Sequence, residues 1–141
     1  MEHPHGVQLP RPDPRPIDEI ERNIAMWSTP KWRSTPHLSG PYCDGVVAML
    51  RWGAGVDKVS PISRKSPRDG QRPGHLECLD EQYAAYEGMS TKRLGGHPLP
   101  DPEVMTGQWL QGAENAGGWL AGDNQSLWSA SDEGWQERKS A

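Results

Sequence analysis

Apolar residues along the chain fall into four sets with one spacing. Ile17, Ile20, Ile24 and Trp27 form the first, and Tyr42, Gly45, Met49 and Trp52 the second. Leu76, Leu79, Tyr83 and Tyr86 form the third, and Trp109, Gly112, Ala116 and Trp119 the fourth. Each set lies at i, i+3, i+7 and i+10, which is a one-sided stripe on a 3.6-residue period. The pattern predicts four amphipathic helices near residues 17–27, 41–54, 75–87 and 102–121, each turning its stripe to a shared core. The expected fold is therefore all-α, a small four-helix domain over residues 17–122.

Punctuation supports these boundaries. Pro16 and Pro41 suit a first helical turn, and Ser39 or Gly40 can cap the second helix. Asp101-Pro102-Glu103 reads as the clearest start, with a capping carboxylate, a fixed φ and a charge favourable to the helix dipole. Gly55, Gly88 and Gly122 each follow a stripe, where a left-handed C-terminal residue is expected. The second and fourth stripes also share their chemistry: an aromatic, a glycine and a tryptophan recur 67 residues apart, as Tyr42, Gly45, Trp52 and Trp109, Gly112, Trp119. Two readings fit, a duplicated helical hairpin or two independent helices with similar packing needs. Mid-helix glycine costs about 1 kcal/mol against alanine. Close approach of another backbone would compensate, so Gly45 and Gly112 are expected to face backbone.

Composition narrows the core. Leu, Ile, Val and Phe make only 20 of 141 residues, while Gly and Pro together make 30. Seven tryptophans replace the missing phenylalanines, each able to bury roughly 150–250 Å². The expected domain is thus a small, Trp-dependent core between irregular segments. Residues 1–16 hold five prolines, most alternating with polar residues, and predict an extended arm. Residues 123–141 form a polar tail bearing Trp128 and Trp135. No apolar run is long enough to span a membrane. Met1-Glu2-His3-Pro4-His5 lacks the basic and apolar regions of a signal peptide, and two cysteines make no disulfide framework. A cytoplasmic protein with reduced thiols is expected.

Charge adds one candidate surface. Net charge is −4, which argues against coating nucleic acid throughout. Yet the loop from Val56 to Gly74 carries Lys58, Arg64, Lys65, Arg68 and Arg72 against Asp57 and Asp69, a net of +3, and two Ser-Pro steps. Such a segment is a solvated loop, one that follows a phosphate backbone, or one that meets an anionic protein surface. Trp32, between Lys31 and Arg33, can stack on a base or anchor a protein contact. Trp128 and Trp135 either fold over the core or anchor a partner.

Metal and catalytic chemistry are thinly represented. His75 and Cys78 share a helical face, and with His37 and Cys43 would complete a tetrahedral Cys₂His₂ set, although the spacing around Cys43 matches no standard ligand pair. Two buried thiols and two surface histidines are the plainer reading. Glu77, Asp80 and Glu81 lie beside His75 and read as a solvated face. There is no Gly-rich phosphate loop, no Gly-x-Ser-x-Gly and no His-Glu-x-x-His, so no catalytic residue and no cofactor are nominated.

Gly45 to Gly55 and Gly112 to Gly122 both have the form Gly-x₆-Trp-x₂-Gly. This resembles helices in short proteins of high-GC actinobacteria and their phages. The likeness covers about a quarter of the chain, and the second copy departs from it at Gly117 and Gly118. It implies no activity, only an accessory or virion protein of a phage or mobile element. The leading expectation is a non-enzymatic helical protein that binds another protein or itself. A nucleic-acid-associated protein using the basic loop is the alternative, and a small enzyme the third.

Overall fold

The computed structural model describes residues 15–29, 40–65, 72–123 and 127. The domain is all-α, as expected. Its helices are α1 (Ile17–Trp27), α2 (Gly40–Gly53), α3 (His75–Thr91) and α4 (Gly107–Leu120), with one two-stranded hairpin, β1 (Arg93–Leu94) and β2 (His97–Pro98), between α3 and α4. The Pro-rich arm, apart from Arg15 and Pro16, and nearly all of the tail lie outside the described residues, as does Ser39.

The centre of the molecule is the crossing of α2 and α4. A Cβ added at Gly45 would collide with the carbonyl oxygen of Trp109, and one added at Gly112 with that of Tyr42. Each glycine therefore receives the backbone of the residue three before the other glycine. This exchange makes the crossing locally two-fold, and it explains why both helices carry glycine where alanine would favour the helix. Tyr42 fills the adjoining space: its hydroxyl accepts from Asn115 Nδ2 at 2.7 Å, and its ring lies 5.8 Å from that of Trp27 on α1. Gly117, one of the two departures from the repeat, has a separate reason. A Cβ there would sit 3.1 Å from Gln82 Cβ, so α4 is pared down toward α3 as well as toward α2. α4 is accordingly the central helix, with Trp109, Leu110, Ala113, Ala116, Trp119 and Leu120 all buried.

Two boundaries differ from expectation. Asp101-Pro102-Glu103 starts a single turn, closed by Met105 N–H to Asp101 O at 2.8 Å, and not a helix. Thr106, extended at ψ 169°, interrupts the chain, and its hydroxyl accepts from Trp109 N–H at 3.3 Å to begin α4. Gly88 does not stop α3. It is buried, with Leu99 and Leu110 side chains 3.1 and 3.4 Å from where its Cβ would be, and the helix runs on to a left-handed Lys92. Gly55 and Gly122 do take positive φ, at 83° and 111°. The hairpin was not anticipated, although Gly95-Gly96 is a known two-residue turn signal; both have positive φ, and Leu94 pairs with His97.

The largest correction concerns α3. The stripe Leu76, Leu79, Tyr83 and Tyr86 faces solvent, at 64, 37, 62 and 54% exposure. The buried face instead carries His75, Cys78, Glu81, Ala85 and Gly88. The close approach of the two helices runs through small groups: the Gln82 backbone lies against Gly117, and Gly88 receives the Leu110 side chain. In α1, too, the buried set is shifted, to Ile20, Asn23, Met26 and Trp27, with Ile17 exposed.

Two arginines tie the helix ends together. Arg15 donates from Nε to Trp119 O at 2.5 Å, lies 4.1 Å above the Trp119 ring and pairs with Glu19 at 3.1 Å. Arg72 donates from Nε to Gly53 O at 3.0 Å and from Nη2 to Arg15 O. The carbonyl ends of α2 and α4 thus each receive a guanidinium, the favourable sign for a helix C-terminus.

Candidate functional site

Two surfaces carry unspent interaction capacity. The first is the outer face of α3. Leu76, Leu79, Tyr83, Tyr86 and the exposed Ser90 follow the alternating three-and-four spacing of a coiled-coil seam. Tyr83 and Tyr86 lean edge to face, with centroids 6.4 Å apart. Asp80 and Glu87 run along one edge of this seam, and the half-buried Gln82 and Met89 along the other. Glu87 also accepts the Gly95 N–H at 2.8 Å, which fixes the hairpin against the end of α3. Full burial of such side chains is worth about 1.5–3 kcal/mol each, so the face retains a sizeable driving force for contact.

The second surface is an open groove of about 440 Å³ between the loop 56–65 and the α2–α4 crossing. Ala48, Val56, Val59, Pro61 and Trp109 supply apolar lining, and Asp57, Lys58, Ser60 and Arg64 the polar part. The loop is held from beneath by Glu81. Its side chain is only 2% exposed, and its carboxylate accepts from Ile62 N–H at 2.5 Å, Ser63 N–H at 3.0 Å and Ser63 Oγ at 2.5 Å. A buried carboxylate is tolerated because three donors replace its hydration. Above it, Ser60 N–H donates to Lys65 O at 2.8 Å and Lys65 N–H to Ser60 Oγ at 2.7 Å, closing a small ring. That ring holds Arg64 at φ 62°, a left-handed conformation costing a non-glycine residue about 1–2 kcal/mol.

The charges of the groove are unevenly balanced. Asp57 accepts two bonds from Arg51, at 3.1 and 3.2 Å, and this pairing raises the pKa of the Arg51 guanidinium above its ordinary value. Lys58 and Arg64 make no ion pair among the described residues. The groove therefore presents two cations, and Asp57, the carboxylate in its lining, is already engaged by Arg51.

The residues nominated from sequence divide accordingly. Lys58, Arg64 and Lys65 are exposed on one loop, as a phosphate-facing surface requires. Arg72 is not part of that surface, because its guanidinium is turned to the carbonyls of Gly53 and Arg15. Arg68, Trp32, Trp128, Trp135 and His37 lie outside the described residues. Cys43, His75 and Cys78 are all buried, and among the described residues no three His, Cys, Asp or Glu side chains come together as a metal site. Burial, with smaller contributions from Glu77 and Glu81, raises the Cys78 thiol to about 12. Glu81 is buried and does not join the solvated face that its charge suggests. The available signal was its place on the face of small residues, at Cys78, Ala85 and Gly88.

No helix among the described residues is long and apolar enough to cross a membrane. Comparison of the chain with protein-family models, curated proteins and solved structures finds no match.

Proposed function

We propose that this is a non-enzymatic helical protein that works by docking a helix of a partner protein along α3. The observation that supports this reading is the exposed seam Leu76, Leu79, Tyr83 and Tyr86 on a helix whose other face is fully packed. The acidic edge at Asp80 and Glu87 selects among occupants. An antiparallel self-pair sets acidic edge against acidic edge, and a parallel one sets it against Gln82 and Met89. Neither supplies a cation. An amphipathic partner helix with lysine or arginine beside its apolar seam satisfies both seam and edge. An accessory or virion protein of a phage or mobile element, acting in the cytoplasm or the particle, is the setting suggested by the Gly-x₆-Trp-x₂-Gly likeness.

The test is affinity purification from the source cell with wild-type chain and with the double variant Tyr83→Ser/Tyr86→Ser, followed by cross-linking to locate the contact. Both changes are on an exposed surface, so thermal stability should shift by no more than ~0.5 kcal/mol. The expected result is a protein lost with the variant and cross-linked to α3 through a basic amphipathic helix. Retention of all captured proteins by the variant rejects the reading. Light scattering that shows a wild-type dimer dissolved by the variant replaces it with self-association.

A further inference from the structure

We infer that the groove between the loop 56–65 and Trp109 binds a small phosphate monoester with an apolar or aromatic body, of nucleoside monophosphate size. This site is on a different surface from α3 and does not depend on the docking reading. Three observations converge on it. The volume, about 440 Å³, is that of a small-ligand site. Its lining pairs apolar surface, including the exposed Val56 and Val59, with Lys58 and Arg64, which make no ion pair among the described residues. Two positive charges match a dianionic phosphate monoester better than a monocarboxylate.

The third observation concerns why Arg64 is an arginine. At φ 62° glycine would be the residue favoured by the backbone. The chain there is over-determined by the Ser60–Lys65 ring and by Glu81, so the strain is held in place by its surroundings. What the position gains from arginine is a long cationic side chain on a residue that lines the groove. A site that presents a cation at a fixed point has a use for that exchange, whereas Lys92, the other described non-glycine residue at φ 62°, closes the end of α3. Asp57 does not oppose the anion, because Arg51 already engages both of its oxygens.

The experiment is calorimetric titration of the full-length protein with adenosine 5′-monophosphate, adenosine and inorganic phosphate, and with a single-stranded oligonucleotide for comparison. The monophosphate is expected to bind, with adenosine and phosphate each roughly tenfold weaker or more. Lys58→Ala and Arg64→Gly should each weaken the monophosphate by a similar factor. Arg64→Gly should also raise the melting temperature, since it removes the backbone strain. Binding lost while stability rises is the signature of a residue kept for its side chain's ligand. Absence of monophosphate binding at millimolar concentration overturns the proposal. So does a lowered melting temperature in Arg64→Gly, or binding that this variant leaves unchanged. An oligonucleotide that binds where the monophosphate does not transfers the loop to nucleic-acid contact.

Discussion

Glu81 links the interior to the surface through one carboxylate. It is buried on α3, yet all its hydrogen bonds to loop 56–65 go to Ile62 and Ser63. Glu81→Ala would strand the two buried or half-buried amides, at a cost of about 2–4 kcal/mol. Denaturant unfolding should register that loss, and hydrogen exchange at Ile62 and Ser63 should accelerate beyond the rest of the loop. Cys78 behaves differently. Burial is the main reason its thiol is raised to about 12, so the native state keeps a proton that the unfolded chain releases near pH 9. Above pH 9 the unfolded state binds fewer protons, and stability falls as pH rises toward 12. Burial raises Tyr42 as well, only partly offset by the Asn115 hydrogen bond, and adds to the same alkaline loss above pH 10. A pH series of unfolding curves should show this decline, and Cys78→Ala should flatten its first part. Native Cys78 should also resist alkylation at neutral pH.

At the scale of elements, glycine is the diagnostic residue, but only where backbone meets backbone. Gly45→Ala and Gly112→Ala each drive a methyl into a carbonyl of the opposing helix, and each should cost about 1–3 kcal/mol or more despite better helix propensity. Gly107, with nothing within 4 Å of its Cβ position, is the control: Gly107→Ala should be neutral or stabilising by up to about 1 kcal/mol. Melting temperatures of the three variants separate the cases. The glycine crossing was legible because a costly residue recurred at matched positions on two helices. The positions of all four helices were legible from periodicity. The inward face of α3 was not, because the stripe of large apolar residues reports amphipathicity without saying which neighbour claims which side. Closest approach to α4 claimed the small face. The groove was half legible: Lys58 and Arg64 stood out as charge, but Trp109, which completes the apolar lining, comes from α4, distant in sequence. Arg72 misled because charge alone does not reveal a guanidinium turned to helix carbonyls.

For the whole molecule, α4 is the member on which both surfaces depend. One side of it receives α2 at the glycine crossing, and another receives α3 at Gly117. The first contact places Trp109 under the groove, and the second turns the α3 seam outward. The two surfaces therefore share a scaffold without sharing residues. Tyr83→Ser/Tyr86→Ser should leave monophosphate titration unaltered, and Arg64→Gly should leave partner capture unaltered. Crossed effects would show that the surfaces are energetically joined.

Arg15 sets a limit on how the chain can be trimmed. It precedes the first helix, and a boundary drawn from periodicity would discard it as linker. Yet it covers the face of Trp119, supplies a donor to the last turn of α4 and offers its own carbonyl to Arg72. A shortened protein that begins at Ile17 keeps every helix and loses the clasp between the first and last of them. Its weakness would emerge at the far end of the sequence, about a hundred residues from the cut.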